Sequence, residues 1–544
     1  MTEANLKVDG EAGSHPGTEA PAETGDAVVG RLPRWPWPRA LRGRRHLWGV
    51  GAVALMTAVL QGALGIQQFK QYYMGAYDLV IFDQAIRNYA HGHMPVSVLK
   101  DVHDAAQVIP GYGHTFSILG DHFSPILALA APLYWIWNSP MVLLVAQALL
   151  FGAAVPSVWV FTRRAVAKIA PERYAVRVAY LVAVSFGISW PLQMASQAGF
   201  HEVGFFVLLS AIMIERYQAG HLRVAIACAL GLLLVKEDCG YVVAAFGLLL
   251  MFNRGLRRRV TGAVLALVGV VAAVAIEHWW LPAFGGRPGY YWYYDQLGPN
   301  LPSAVWKIIS DPVYAFDIAS RPADKVHTLL LLLWPLLFCC LLSPLSVLAL
   351  PLLLERAFSS KPEHWRTDQH YNAFLAVILT TAAVDGVVRL WALVARLRER
   401  RAPDRAGPVP RTAGRWALGW AGAVLVCAVV MVFQSPMPLG SVFFPNAWKA
   451  NTFTTAANRA INQVPSDAGC VEADNDIAPH LSSRTEVLLL DAVPRGCPWV
   501  VLQTATVSYP FSGPTVEQAR AHWLEADGYQ LVFSSNQVFV YHHP

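Results

Sequence analysis

The stretch VAIACALGLLLV (224–235), KED (236–238), CGYVVAAFGLLLMF (239–252) sets three adjacent charges between apolar runs of 12 and 14 residues. As helices those runs reach roughly 18 to 21 Å at about 1.5 Å per residue. A bilayer's hydrocarbon core is about 30 Å thick. If both helices start at their arginine-marked inner ends, Lys236, Glu237 and Asp238 sit below the outer membrane surface. Charges at that depth are tolerated where they pair or line a wet cavity. The alternative is a solvated turn between two helices.

Outward from this stretch the pattern repeats. Of 544 residues, 55% are hydrophobic and 14% charged, against about 25% charged in an ordinary soluble protein. Apolar runs recur from Leu47 to Phe433. This excludes a soluble enzyme, and the abundance of Trp, Tyr and Phe without a heptad or Gly-X-Y period excludes disorder, coiled coil and collagen. The expected fold is an all-α polytopic membrane protein with a small C-terminal extracytoplasmic α/β domain.

Eleven crossings are expected, at 47–66, 141–161, 175–192, 203–217, 222–235, 239–252, 260–280, 326–342, 345–358, 371–394 and 415–434. Ser343-Pro344 is taken as a tight hairpin between the eighth and ninth; the alternative, a single kinked helix over 326–354, would put the run from Arg396 to Arg415 outside. With the N-terminus in the cytoplasm, Arg163/Arg164/Lys168/Arg173, Arg216/Arg223, Arg254/Arg257/Arg258/Arg259 and the run from Arg396 to Arg415 all fall inside, as the positive-inside rule demands. The net charge of +6 thus orients helices in the plasma membrane and does not signal nucleic acid. Residues 1–46 read as a disordered cytoplasmic tail, 47–434 as the transmembrane domain and 435–544 as the outer α/β domain. In the last, the apolar runs Val487 to Leu490, Trp499 to Leu502 and Gln537 to Tyr541 alternate with helical patterns at 448–463 and 515–527, forming a cover over the membrane part. Cys470 and Cys497 lie there and either pair in an oxidising compartment or stay free. The other five cysteines read as inert small hydrophobes.

Chemistry is expected on the outer face. His201-Glu202 opens another short apolar run and fits the cavity of Lys236-Glu237-Asp238. The first outer loop (67–140) is the most polar, with Asp78, Asp83, Asn88, His91, His93, His103, Asp104, His114, Asp121 and His122. Residues 78–86 read as a helix along the membrane surface, on which Asp78 and Asp83 project about 140° apart. Asp78 is either a functional carboxylate or the helix N-cap. Ile126 to Trp137 is too short to cross and reads as a second surface or re-entrant helix. Asp121 and His122 are the candidates for a divalent metal, although no HExxH or paired-cysteine spacing is present. No phosphate-cradling glycine loop occurs, against nucleotide hydrolysis.

The motifs Tyr77-Asp78-Leu79…Phe82-Asp83-Gln84-Ala85, Gly120-Asp121-His122-Phe123-Ser124-Pro125, Phe200-His201-Glu202, Lys236-Glu237-Asp238 and Gln369-His370-Tyr371 are similar to the bacterial membrane family DUF2079, grouped with GT-C folds. The order of elements also resembles the GT-C glycosyltransferases that use polyprenyl-phosphate sugars. That resemblance implies inverting transfer of a sugar from a lipid-phosphate donor on the extracytoplasmic face to a glycan, lipid or protein acceptor. It implies a general base at Asp78, with Asp83 in reserve. The leaving phosphate needs cations or donors in a dry site, for which Lys236, Arg356 and His370 are candidates, and Asp121, His122, His201, Glu202, Glu237 and Asp238 complete the expected substrate- or lipid-phosphate-binding set. Arg356 could equally pair with Glu355 or snorkel to the interface. Tyr and Trp residues at 290–294 suit either sugar stacking or an interfacial aromatic belt. A transporter or flippase of a lipid-linked or polar solute, and a non-catalytic scaffold, remain the rival classes.

Overall fold

The computed structural model describes residues 44–100, 102, 117–286, 292–401 and 410–544. Nearly all of the expected tail, His103, Asp104, His114, Tyr290, Tyr291 and the middle of the last basic run lie outside the described residues.

The apolar runs form helices α1 (Arg44–Lys70), α2 (Ala76–Ala90), α3 (Met141–Val166), α4 (Glu172–Gly187), α5 (Trp190–Ala198), α6 (Val203–Gln218), α7 (Leu222–Leu232), α8 (Cys239–Met251) and α9 (Leu256–Ala275). A pair of short helices follows, α10 (Leu301–Ser310) and α11 (Pro312–Ser320), then α12 (Ala323–Leu333), α13 (Leu350–Phe358), α14 (Ala373–Arg401) and α15 (Pro410–Phe433). Among the described residues, six helical stretches are long and apolar enough to cross a membrane: His46–Lys70, Met141–Val166, Glu172–Ala198, Leu256–Ala283, His370–Arg398 and Arg411–Phe433. The apolar runs alone predict eleven. The difference lies in α6, α7, α8, α12 and α13, which have 16, 11, 13, 11 and 9 residues. A helix of 11 residues reaches only about 16 Å, and polar or irregular turns end each of these early.

The expected hairpin at Ser343-Pro344 is also replaced. The chain leaves α12 through short 3₁₀ turns at Trp334–Leu336, Cys339–Leu342 and Pro344–Leu348. It bends at Leu337 and Phe338, both left-handed (φ 52° and 56°). Gly386 of α14 lets this irregular strip lie against the helix, because a Cβ there would collide with the Cys339 carbonyl. The pair α8 and α9 is packed equally closely: a Cβ on Gly240 would fall 2.6 Å from the Gly269 oxygen. Such small-residue contacts replace the hydrophobic drive that water supplies to soluble helices, and they fix where α8 starts, immediately after Asp238.

The C-terminal unit is a five-stranded sheet of β1 (Cys470–Ala473), β2 (Glu486–Leu489), β3 (Trp499–Gln503), β4 (Gln530–Ser535) and β5 (Val538–His542), in the order β2-β1-β3-β5-β4. β1 is parallel to β2 and β3, whereas β5 is antiparallel to β3 and β4. Helices α16 (Thr452–Ile461) and α17 (Pro514–Ala526) flank it. The three strand-like runs and two helical patterns seen in the sequence are all here. Cys470 and Cys497 form a disulfide, their Cα atoms 5.2 Å apart.

This unit shares one apolar core with α2, the 3₁₀ helix Pro125–Trp135 and the start of α3. So α2 is enclosed between the sheet unit and the helices and is not simply laid along a membrane surface. Its N-cap is Gly75, which has no side chain to cap with. Asn475 supplies that function from the C-terminal unit: its backbone oxygen accepts from Ala76 N at 2.6 Å and its Oδ1 from Tyr77 N at 3.1 Å. Two of the donors a helix start leaves unpaired are thereby satisfied. Gln84 donates to the Val487 oxygen at 2.9 Å, and His480 stacks on Tyr72 with ring centroids 3.9 Å apart. Asn475→Ala should therefore lower stability by about 1 kcal/mol, the usual cost of a lost cap. Thermal unfolding in detergent and faster proteolysis between the membrane part and the sheet unit check this.

Candidate functional site

Asp78 lies in the first turn of α2 but is not its cap, so its carboxylate is free to face elsewhere. It is 48% exposed, and His201 Nε2 stands 3.7 Å from its Oδ1. This distance is too long for a hydrogen bond. Burial pushes the Asp78 carboxyl up, but His201 beside it and the charges of Lys100 and Lys361 outweigh that and hold it below the usual carboxylate range. The carboxylate is thus accessible and at the same time under the electrostatic influence of the surrounding protein.

His201 is held by the break between α5 and α6. Gly199 turns the chain with φ +107°, a conformation that favours glycine. The Gln147 side chain from α3 then bridges the break, donating to the oxygens of Ala195 (3.1 Å) and Gly199 (2.8 Å) and accepting from His201 N (2.9 Å). The imidazole is edged by Phe82 at 5.4 Å and stacked on His370, with ring centroids 3.4 Å apart. Neither His201 nitrogen has a protein hydrogen-bond partner, nor has His370 Nδ1. Both rings are buried.

Lys236, Glu237 and Asp238 are all engaged. The Lys236 ammonium is 3.4 Å from Asp238 Oδ2 and lies over the rings of Tyr371 (5.1 Å) and Phe374 (5.9 Å). Glu237 accepts from Phe123 N at 3.2 Å and pairs with His122 Nδ1 at 2.8 Å. Gly120 allows that loop in, since a Cβ there would fall 2.8 Å from Gly286 N. Glu202, buried at the start of α6, acts on Lys236 through its charge. Arg356 is buried and donates from Nη2 to the Tyr371 oxygen, while its Nη1 has no protein acceptor. Tyr371 thus touches Lys236, Arg356 and His370 at once.

Asp121 and His122 diverge, the first toward Lys100 at 3.4 Å and the second toward Glu237. Among the described residues no three His, Cys, Asp or Glu side chains gather as a metal-holding group. Asp83 does not join the site. It is fully buried, bonded to Arg87 at 3.0 and 3.1 Å and to the Tyr134 hydroxyl at 2.5 Å, and staples α2 to the 3₁₀ helix below it.

Sequence reasoning missed Lys100, Lys361 and His364. Lys100 donates to the Tyr77 hydroxyl at 2.8 Å, Lys361 lies over Tyr293 at 4.9 Å, and His364 packs edge-on to Tyr371 at 5.1 Å. No local signal marks them, because eight of the chain's nine lysines lie outside the arginine clusters and position alone does not single out Lys100 and Lys361.

The His122–Glu237 pair sets a pH dependence. Burial opposes the charged form of His122, but Glu237 and Asp121 raise its pKa above the ordinary value. Burial likewise pushes Glu237 up, and His122 outweighs it, bringing the carboxyl below its ordinary value. The raised histidine stabilises fully below about pH 6.5 and loses its contribution as pH rises through its folded pKa; the lowered glutamate stabilises fully above about pH 4.3 and loses its contribution as pH falls. Between about pH 4.3 and 6.5, where both contributions are complete, His122→Ala should cost about 3 kcal/mol, and its deficit relative to the unaltered chain should shrink toward alkaline pH in thermal unfolding.

The helices and the recessed ionisable cleft define a multi-span membrane protein. The family described as "Predicted membrane protein (DUF2079)" matches residues 69–507, and the chain belongs to it. No curated protein matches.

Proposed function

We propose that the chain is a membrane glycosyltransferase of GT-C type that moves a sugar from a polyprenyl-phosphate donor to an acceptor hydroxyl on the extracytoplasmic face. The observation that carries this reading is the juxtaposition of Asp78, an accessible carboxylate favoured in its ionised form, with buried cations on neighbouring elements.

In this reading Asp78 takes the proton of the acceptor hydroxyl as that oxygen bonds to the anomeric carbon. The bond from the anomeric carbon to the donor's phosphate oxygen breaks on the opposite face, which inverts the configuration. The lipid phosphate leaves with an added negative charge, and Lys236, Arg356 and His370 are placed to receive it in a site poor in water. His201 stands beside Asp78 and favours its ionised form. Asp121, His122, Glu202, Glu237 and Asp238 keep the cations and loops in place. In this reading Asp78 alone takes the proton, and Asp121 and His122, the candidates for a divalent metal, turn to different partners, Lys100 and Glu237.

Purified protein in detergent, given a panel of polyprenyl-phosphate monosaccharides together with hydroxyl-bearing glycan, lipid and peptide acceptors, should release free polyprenyl phosphate. Asp78→Asn should lower that rate about 10²- to 10⁴-fold, the range for a positioned base, with normal amounts of folded protein. Full activity in Asp78→Asn removes the base assignment. Transport of a lipid-linked or polar solute is the second reading, supported by the ion pair of buried Lys236 with Asp238, since intramembrane ion pairs also mark solute paths. Chemical turnover in detergent, where no second compartment exists, separates the two.

A further inference from the structure

We propose that the α10–α11 hairpin lies within the bilayer, with leaflet phospholipid as its partner. Both sides of the hairpin are apolar. Its inner side places Ala304, Ile308 and Ile318 against Leu297, Trp292 and Phe358. Its outer side presents Leu301, Val305, Trp306 and Ile309 from α10 and Val313 and Phe316 from α11. The first four recur at i, i+4, i+5 and i+8, and the last two at i and i+3, so each helix shows one continuous apolar face. Trp306, Ile309, Val313 and Phe316 are 70%, 68%, 79% and 73% exposed.

Water does not suit such a face, because folded proteins seldom leave contiguous large apolar side chains uncovered. Phospholipid is the occupant that continues what lies on either side. Just before the hairpin, Trp279 and Trp280 are exposed at the end of the crossing stretch Leu256–Ala283. Directly after it, Val326, Leu329 and Leu330 of α12 are exposed in turn. The charged groups fit an interfacial position. Lys307 pairs with Asp311 at 3.1 Å and Arg321 with Asp317 at 2.9 Å, all near the helix ends, where polar groups of an interfacial helix can reach headgroups.

The hairpin is tied to the candidate site. Lys325 donates to the Ile318 oxygen at 2.9 Å and to the Ala357 oxygen at 2.8 Å, the residue after Arg356. Lipid against α10 and α11 therefore lies one layer of protein away from the buried guanidinium. This placement is independent of which reaction the site performs.

Photocrosslinking in the full chain tests it. p-Benzoylphenylalanine is placed singly at Val313 or Phe316, at Leu149 on the exposed side of α3, and at Leu531 on β4, all positions with accessible side chains. The protein is reconstituted into vesicles of phosphatidylethanolamine and phosphatidylglycerol, irradiated and analysed by intact mass. The expected result is an adduct of one phospholipid at Val313 and Phe316, in yield comparable with Leu149 and at least about tenfold above Leu531, as bilayer-buried and water-facing positions should differ. Lipid adducts at Leu149 without any at Val313 and Phe316 would overturn the proposal. So would covalent dimers from Val313 and Phe316 in place of lipid adducts, or yields at those positions no higher than at Leu531.

Discussion

The pairing of His122 with Glu237, beside Lys236 and Asp238, permits charge to sit between two short apolar helices. Isolated, each ion would carry a desolvation cost of several kcal/mol. Paired, and with Lys236 lying over Tyr371 and Phe374, they become a fixed element of the fold. The rest of the cleft follows from that constraint. Helix α7 ends before the turn and α8 begins only after it, Gly120 admits the loop bearing His122, and Tyr371 contacts Lys236, Arg356 and His370.

The C-terminal unit is bound into this arrangement. Asn475 completes the start of the helix that carries Asp78, and Tyr509 packs on Tyr77 at 5.2 Å. A carboxylate on an unsupported helix end would wander, because the first turn of a helix frays when its donors are unsatisfied. The sheet thus acts on Asp78 through the backbone of α2. That division of labour, in which one unit supplies ionisable groups and another fixes their geometry, accounts for a soluble-like fold attached to a helical membrane body.

Part of this was legible in the chain. The break between two short apolar helices at Lys236-Glu237-Asp238 followed from counting apolar residues, and the strands β2, β3 and β5 followed from short apolar runs between turns. Asp78 and Asp83 were correctly set on different faces of one helix. Their separate surroundings were not legible, since Tyr134 and His201 lie 51 and 123 positions beyond Asp83 and Asp78. Lys361 was hidden for the same reason. The segment 334–348 misled because hydropathy registers apolar character and not backbone geometry, and an apolar stretch of 3₁₀ turns reads like a helix.

By itself the sequence determined that the chain belongs in a membrane, where its short apolar runs end and which turns carry charge, because these depend on composition and on neighbours a few residues away. Only the tertiary structure decided that Asp78 faces His201 while Asp83 serves as a staple, that Asn475 caps a helix nearly 400 residues before it, and that the site draws in Lys100 and Lys361. Those outcomes depend on contacts between distant segments, whose energies no local pattern records.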